Sequence, residues 1–280
     1  MKVACGQCLG CRVERSQMWA ARCVHESMLH DENSFITLTY RDEDMPRLWC
    51  DVDAPGTLVK KHFQDFMKRL RQRFPSQKIR YYHCGEYGDD YYRPHYHACL
   101  FGLDFSDKEF LSYNDGYPLF TSQTLEDVWS KGFVSIGEVT FQSAAYIARY
   151  CLKKVTGHMA SDHYMRIDNY GVCHWLEPEY TTMSRGGRHG RGIGYDWYQQ
   201  FKSDLYPSDH MPVPGTGVWP KVAKYYDSLL SVENPLLHDE IKGLRKAFSE
   251  AHEDEYTPER LSAKFTVKSA QLSQCKRGLR

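Results

Sequence analysis

The spacing of apolar residues divides the chain into recognisable elements. Phe63, Phe66, Met67, Leu70 and Phe74 recur at helical intervals, with lysines and arginines largely on the opposite side, which predicts an amphipathic helix over 58–74. Phe35 to Tyr40 is β-branched and aromatic, the pattern of a central strand. Two more strands are predicted at 78–86 and 95–101, joined by a polar turn at Gly88-Asp89-Asp90, and another at 133–139. Helices are predicted over 14–29, 124–130, 141–154, 225–230 and 238–249. This order predicts an α+β fold, an antiparallel central sheet with helices packed on it.

The pattern also suggests boundaries. Residues 1–30 form a Cys-rich segment and helix, 31–157 a central domain, and 158–280 a loop-rich and then helical extension. Within the extension, Ser184 to Gly192 (SRGGRHGRG) reads as a basic loop that either clamps a nucleic-acid backbone or simply links two elements. No internal repeat is visible.

Composition changes this picture only in part. Hydrophobic residues make up 41% of the 280 and aromatics 14%, so a folded core is expected. The formal net charge is zero, which does not by itself suggest a nucleic-acid partner. The charge is unevenly spread, however: Lys60, Lys61, Lys68, Arg69, Arg71, Arg73, Lys78 and Arg80 face a single Asp65 between residues 60 and 80. Such a cluster could bind phosphate, or be an ordinary solvated helix face. No stretch approaches the roughly 20 apolar residues of a membrane span. With ten cysteines and no recognisable export signal, reduced thiols in a cytoplasm are expected.

The residues that carry chemistry fall into three groups. His95-Tyr96-His97 lies in a strand, where residues two apart point to one face, so the imidazoles are neighbours that suit one cation. Glu86 ends the partner strand, and the hairpin brings it opposite or diagonal to both; Asp89 and Asp90 are fallback ligands. Two nitrogens and a carboxylate accept Mg²⁺ or Mn²⁺ when phosphate completes the shell, and zinc also fits. In the second group, Tyr146, Tyr150 and Lys153 share one stripe of a helix. A phenol, with a pKa of about 10, attacks poorly unless a cation polarises its target or stabilises the phenolate. The third group is Cys5-x2-Cys8-x2-Cys11, which Cys23 or His25 could complete as a four-ligand structural Zn²⁺ site; the spacing lacks the last cysteine and proline of a ferredoxin run.

Three motifs in order give a specific resemblance: the strand Phe35 to Tyr40, then Arg93-Pro94-His95-Tyr96-His97 with Glu86 upstream, then Tyr146-x3-Tyr150-x2-Lys153. The chain resembles replication initiators of the HUH endonuclease superfamily, of the type found in the gokushovirus group of the Microviridae. The run Cys5 to Arg12 and the segment Tyr225-Tyr226-Asp227 extend the likeness over most of the chain. Tyr96 departs from the aliphatic residue usual between the two histidines, at a position that needs only to face away from the metal.

The resemblance implies a ferredoxin- or RRM-like core and rolling-circle initiation. His95, His97 and Glu86 would hold the metal, and Tyr146 or Tyr150 would cut single-stranded or melted origin DNA with Lys153 nearby. The product would be a 5′-phosphotyrosine and a free 3′-OH, and the second tyrosine would rejoin the strand. Host helicase and DNA polymerase are the expected partners in a bacterial cytoplasm, since no phosphate-binding Gly-x4-Gly-Lys-Ser/Thr loop is present. Lys60, Lys61, Lys68, Arg69, Arg71, Arg149, Lys154, Arg185, Arg188 and Arg191 are candidate DNA contacts. Three other readings are an HUH transposase or relaxase, a zinc-stabilised nucleic-acid-binding module without catalysis, and a hydrolase using water on the same histidines.

Overall fold

A computed structural model of the chain describes residues 5–88, 91–114, 116–185, 191–217 and 219–274; the side chains of 150–153 lie outside the description. The elements are α1 (Leu9–Ser27), β1 (Asn33–Thr39), α2 (Lys60–Arg73), β2 (Arg80–Tyr87), β3 (Pro94–Phe101), β4 (Lys108–Asn114), β5 (Tyr117–Ser122), α3 (Gln123–Trp129), β6 (Val134–Gly137) and α4 (Phe141–Lys153). They continue with α5 (Met159–Tyr164), β7 (Met165–Ile167), β8 (Cys173–Trp175), β9 (Tyr180–Met183), α6 (Tyr195–Leu205), α7 (Lys224–Glu233), α8 (Pro235–Ala251) and α9 (Pro258–Gln274).

A seven-stranded sheet runs in the order β4-β5-β6-β1-β3-β2-β9, every described pairing antiparallel, while β7 and β8 pair separately. This is the expected α+β fold. Two of its strands come from places the hydropathy pattern does not mark. The β4–β5 hairpin is largely exposed and so has no buried face to create an alternation. Strand β9 is only four residues long and lies beyond residue 157, so the central sheet draws its edge from the segment expected to be an extension.

The period of two along each strand sorts side chains onto two faces. On one, Ile36, Leu38, Tyr96, Ala98 and Leu100 meet Phe63, Phe66, Met67 and Leu70 of α2 and Trp129 of α3. On the other, Tyr82, Cys84, Cys99 and Phe101 meet Ala20 and Cys23 of α1 and Ala144, Ile147 and Ala148 of α4. Small residues let α1 and α4 approach closely, and the Ser16 hydroxyl donates to the Ala145 carbonyl at 3.3 Å. Helix α4 starts in a capping box: Thr140 Oγ1 accepts from the Ser143 N–H at 3.1 Å and Ser143 Oγ from the Thr140 N–H at 2.8 Å. Thr140→Ala should therefore lower stability by about 1 kcal/mol, measured by urea denaturation.

The turn from α3 into β6 needs Gly132, whose φ is +151° and whose Cβ would come within 2.2 Å of the Thr39 carbonyl oxygen. A third core joins Ala21 of α1 to Trp197, Tyr198, Met211, Tyr226, Leu230 and Ile241 from the C-terminal helices. His25 of α1 lies in this core, stacked on Trp197 at 3.5 Å and hydrogen-bonded to Tyr226 Oη at 3.0 Å and the Pro212 carbonyl at 2.7 Å. Burial pushes its pKa from 6.5 down to about 4, and the nearby Arg22 acts in the same direction.

Because the folded-state pKa lies below the unfolded one, this stability is present above pH 6.5 and is lost as pH falls toward 4. The expected loss is up to about 3 kcal/mol, seen as a falling melting temperature over that range. His25→Gln should flatten part of the slope while lowering stability at neutral pH.

Candidate active site

Strand β3 carries the candidate ligands because its register with β2 is fixed from end to end. Glu86 pairs with His95, and Cys84 with His97, so Glu86 stands opposite one histidine and diagonal to the other. On the diagonal, Glu86 Oε1 lies 3.1 Å from His97 Nε2, and both residues are buried. On the other side of the ring, Thr37 of β1, the register partner of His97, places Oγ1 2.9 Å from Nδ1. A hydroxyl can donate or accept, so Thr37 can support either imidazole tautomer.

The His95 and His97 rings are 6.3 Å apart and 21° from parallel. Burial lowers the His95 pKa from 6.5 to about 4, with His97 adding to the effect, so this imidazole is neutral and has a lone pair to offer at ordinary pH. Tyr146 approaches from above the sheet. Its ring meets His97 edge-on, with centroids 5.1 Å apart and planes at 88°, and it also contacts Phe35 at 6.3 Å. The alanines around it explain the close approach: α4 presents Ala144, Ile147 and Ala148 to the sheet, and Tyr146 comes down at the rim of that contact.

The structure thus brings Glu86, His95, His97 and Tyr146 together on the α1/α4 face. Tyr150 and Lys153 follow on the same helix, where the structure describes the backbone and not the side chains. Asp89, Asp90 and Arg188 lie outside the described residues. Tyr96 points to the opposite face, where its hydroxyl meets Tyr40 Oη at 2.8 Å and accepts from the Val59 N–H at 2.9 Å.

The donor set suits a divalent cation. Ligands bound at about 2.1 Å at right angles stand about 3 Å apart, the separation of His97 Nε2 and Glu86 Oε1. His95 is the outlying member: among the described residues, Cys5, Cys8 and Cys11 are the only trio of His, Cys, Asp or Glu donors within 4.8 Å of one another.

Two expectations need correction. Cys23 does not complete the cysteine run. It is 12 residues beyond Cys11 on the same helix, about 18 Å along the axis, and buried beside Cys99, which helps raise its thiol pKa. His25 is equally remote, held in the third core. Nor does the basic cluster on α2 flank the site, because α2 covers the other face of the sheet. Its charges are engaged there: Lys60 pairs with Glu177, Lys61 and Lys68 with Asp65, Arg69 donates to the Val128 and Trp129 carbonyls, and Arg71 to that of Ile79.

The candidates nearer the site are on or after α4. Arg149 is half-buried on the helix and Lys154 is exposed just beyond it. Arg185 and Arg191 are exposed at the ends of the basic segment, beside Met183 and Ile193, which pack into the α1/α4 core. Sequence reasoning missed Thr37. A threonine in a strand is unremarkable until the β1–β3 register sets it opposite His97.

Comparison with known proteins agrees with this arrangement. The profile of the replication-associated protein ORF2 family matches residues 33–155, from β1 through the end of α4. The replication-associated protein ORF2 of Spiroplasma virus 4 is 34% identical over 238 residues, covering 82% of this chain and 68% of that protein. The chain belongs to this family. The replication-associated protein VP4 of Bdellovibrio phage phiMH2K is 34% identical over 216 residues, 70% of this chain and 67% of that protein. The replication-associated protein ORF4 of Chlamydia phage 1 is 32% identical over 158 residues, 54% of this chain and 38% of that protein. No solved structure matches. Among the described residues no helix is long and apolar enough to cross a membrane.

Proposed function

We propose that this chain initiates rolling-circle replication by nicking and rejoining single-stranded DNA through a covalent 5′-phosphotyrosine. The observation that carries the reading is the edge-on contact of Tyr146 with His97, whose imidazole also meets Glu86 and Thr37. A phenol with no metal-ligand neighbour would be a packing residue; here it stands beside the donor set that a phosphate-bound cation requires.

His97, Glu86 and His95 would hold a cation of the Mg²⁺ or Mn²⁺ class, which when bound draws charge from the scissile phosphate and eases attack by a phenolate. Thr37 holds the His97 ring in place by accepting from Nδ1–H, which leaves Nε2 free to bind. The Tyr146 oxygen attacks phosphorus and forms the phosphotyrosine bond as the bond to the 3′ oxygen breaks. The phenol proton is lost and the 3′ oxygen is protonated, giving a 3′-OH that a host polymerase extends. Tyr150, one turn along α4, then attacks the regenerated junction, and the first linkage is resolved by the released 3′-OH. Placing both tyrosines on one helix makes the second exchange intramolecular, and Lys153 on the same stripe offsets phenolate charge. The phosphodiester energy is kept in the phosphotyrosine, so joining needs no nucleotide.

Single-stranded or melted origin DNA is the substrate in this reading, reaching the α4 side of the sheet with Arg149, Lys154, Arg185 and Arg191 as the backbone contacts. Melting would come from a helicase of the infected bacterium, in whose cytoplasm the protein would act.

Incubating the protein and Mn²⁺ with labelled single-stranded DNA tiling its own replicon should yield an adduct that survives a denaturing gel. The Tyr146→Phe, Tyr150→Phe double variant should yield none. Cleavage without an adduct would replace this reading with a water-using hydrolase, and binding without cleavage with a DNA-binding module. Thr37→Val should weaken Mn²⁺ binding about 10- to 100-fold by calorimetry while leaving the fold intact by circular dichroism. Lys61→Ala and Lys68→Ala should change single-stranded DNA affinity less than Arg191→Ala does, read by fluorescence anisotropy at fixed salt.

A further inference from the structure

The cysteines at the start of α1 have a geometry independent of the active site. Cys8 and Cys11 place their sulfurs 3.5 Å apart, Cys5 and Cys11 3.9 Å, and all three lie within 4.8 Å of one another. Thiolates bound to one tetrahedral zinc at about 2.3 Å stand about 3.8 Å apart. The backbone supports the same arrangement. Gly6 turns the chain at φ +71°, and the Cys8 N–H then points at the Cys5 sulfur from 3.2 Å. That amide and its neighbour at Gln7 lower the Cys5 pKa from 9.0 to about 7. Cys5 and Cys8 are exposed and Cys11 is half-buried, whereas Cys23 and Cys99 are buried packing residues.

We propose that Cys5, Cys8 and Cys11 form a thiolate site for a zinc-class divalent cation that fastens the N-terminal segment to the first turn of α1. The described residues supply three donors to this cluster, so the fourth position of a tetrahedral ion is open to solvent or to an added donor.

The position along α1 gives the site its role. Ser16 meets Ala145, and Phe141, one turn earlier on α4, packs into the cores that contain Ala20 and Ala21, one turn later on α1. The two helices therefore run antiparallel. Five residues back from Ser16 is Cys11, and five residues on from Ala145 is Tyr150, so the cysteine cluster stands level with the turn that carries Tyr150. A bound cation stiffens α1 where it supports the last turns of α4.

The test uses the full chain. Protein purified without chelator should contain about one equivalent of zinc by elemental analysis. Cobalt exchanged into the site should show the visible bands of a tetrahedral thiolate complex, with an intensity matching three thiolates. Zinc should fall at least about tenfold in Cys8→Ser and Cys11→Ser and stay unchanged in Cys50→Ser, an exposed cysteine elsewhere. In unmutated protein, zinc should slow alkylation of Cys5, Cys8 and Cys11, mapped by mass spectrometry, without slowing that of Cys50. Zinc retained by the triple serine variant would overturn the proposal. So would unmutated protein that binds neither metal, or whose three thiols react at the same rate with and without zinc.

Discussion

Helix α1 is held from two sides at once, and both the sheet and the C-terminal helices depend on that grip. Its small residues take up α4 against the sheet, while Arg22, His25 and Glu26 are buried toward the C-terminal half. Buried polar groups are costly unless partnered. Arg22 donates twice to the Ile193 carbonyl, at 3.1 and 2.8 Å, with its guanidinium between Trp19 and Tyr225. Glu26 pairs with Arg80 of β2 at 2.5 Å and accepts from the Gly194 N–H at 2.6 Å. Those two bonds join three segments far apart in sequence at one carboxylate. Gly194 suits this contact because its φ is +80° and a Cβ would collide with the Tyr226 hydroxyl at 2.3 Å.

This joint explains why a catalytic face can form on so small a sheet area. The α4 helix is not anchored by long side chains reaching into the sheet, but lies close because α1 presses on it from the other side. Tyr146 is therefore held at a distance from His97 that is set by backbone packing. Sites supported in this way keep their geometry better than sites on loops.

Much of this is legible from sequence, and the exceptions share a cause. The strands with a buried alternation, β1, β2, β3 and β6, and the helices α2 and α4 are each readable from their own residues. The pairing of Glu86 with His95 follows from the hairpin. What local pattern cannot carry is partnership between distant segments. Strand β9 is an edge strand only because β2 is there to pair with it, and Thr37 matters only because it faces His97. The α2 charges resemble a phosphate-binding surface until the two faces of the sheet are told apart, and Cys23 resembles a fourth ligand until the helix separating it from Cys11 is measured in ångströms. The region after residue 157 shows little periodicity because its apolar residues, Trp197, Tyr198 and Tyr226 among them, stack on α1 rather than on one another's helix alone.

Tyr96 shows what one unusual residue does to its neighbours. An aliphatic side chain there would contribute only apolar contact, and it could slide. The Tyr96 hydroxyl instead accepts from the Val59 N–H at 2.9 Å and donates to the Val59 carbonyl at 3.0 Å, while Tyr40 links it to His62 on α2 at 2.7 Å. Val59 is the residue that caps α2. The strand that presents His95 and His97 to one side is thus pinned on its reverse to the start of a helix, like a key cut on both edges. Any sliding of β3 must break that lock first, so the two imidazoles and α2 move as one piece.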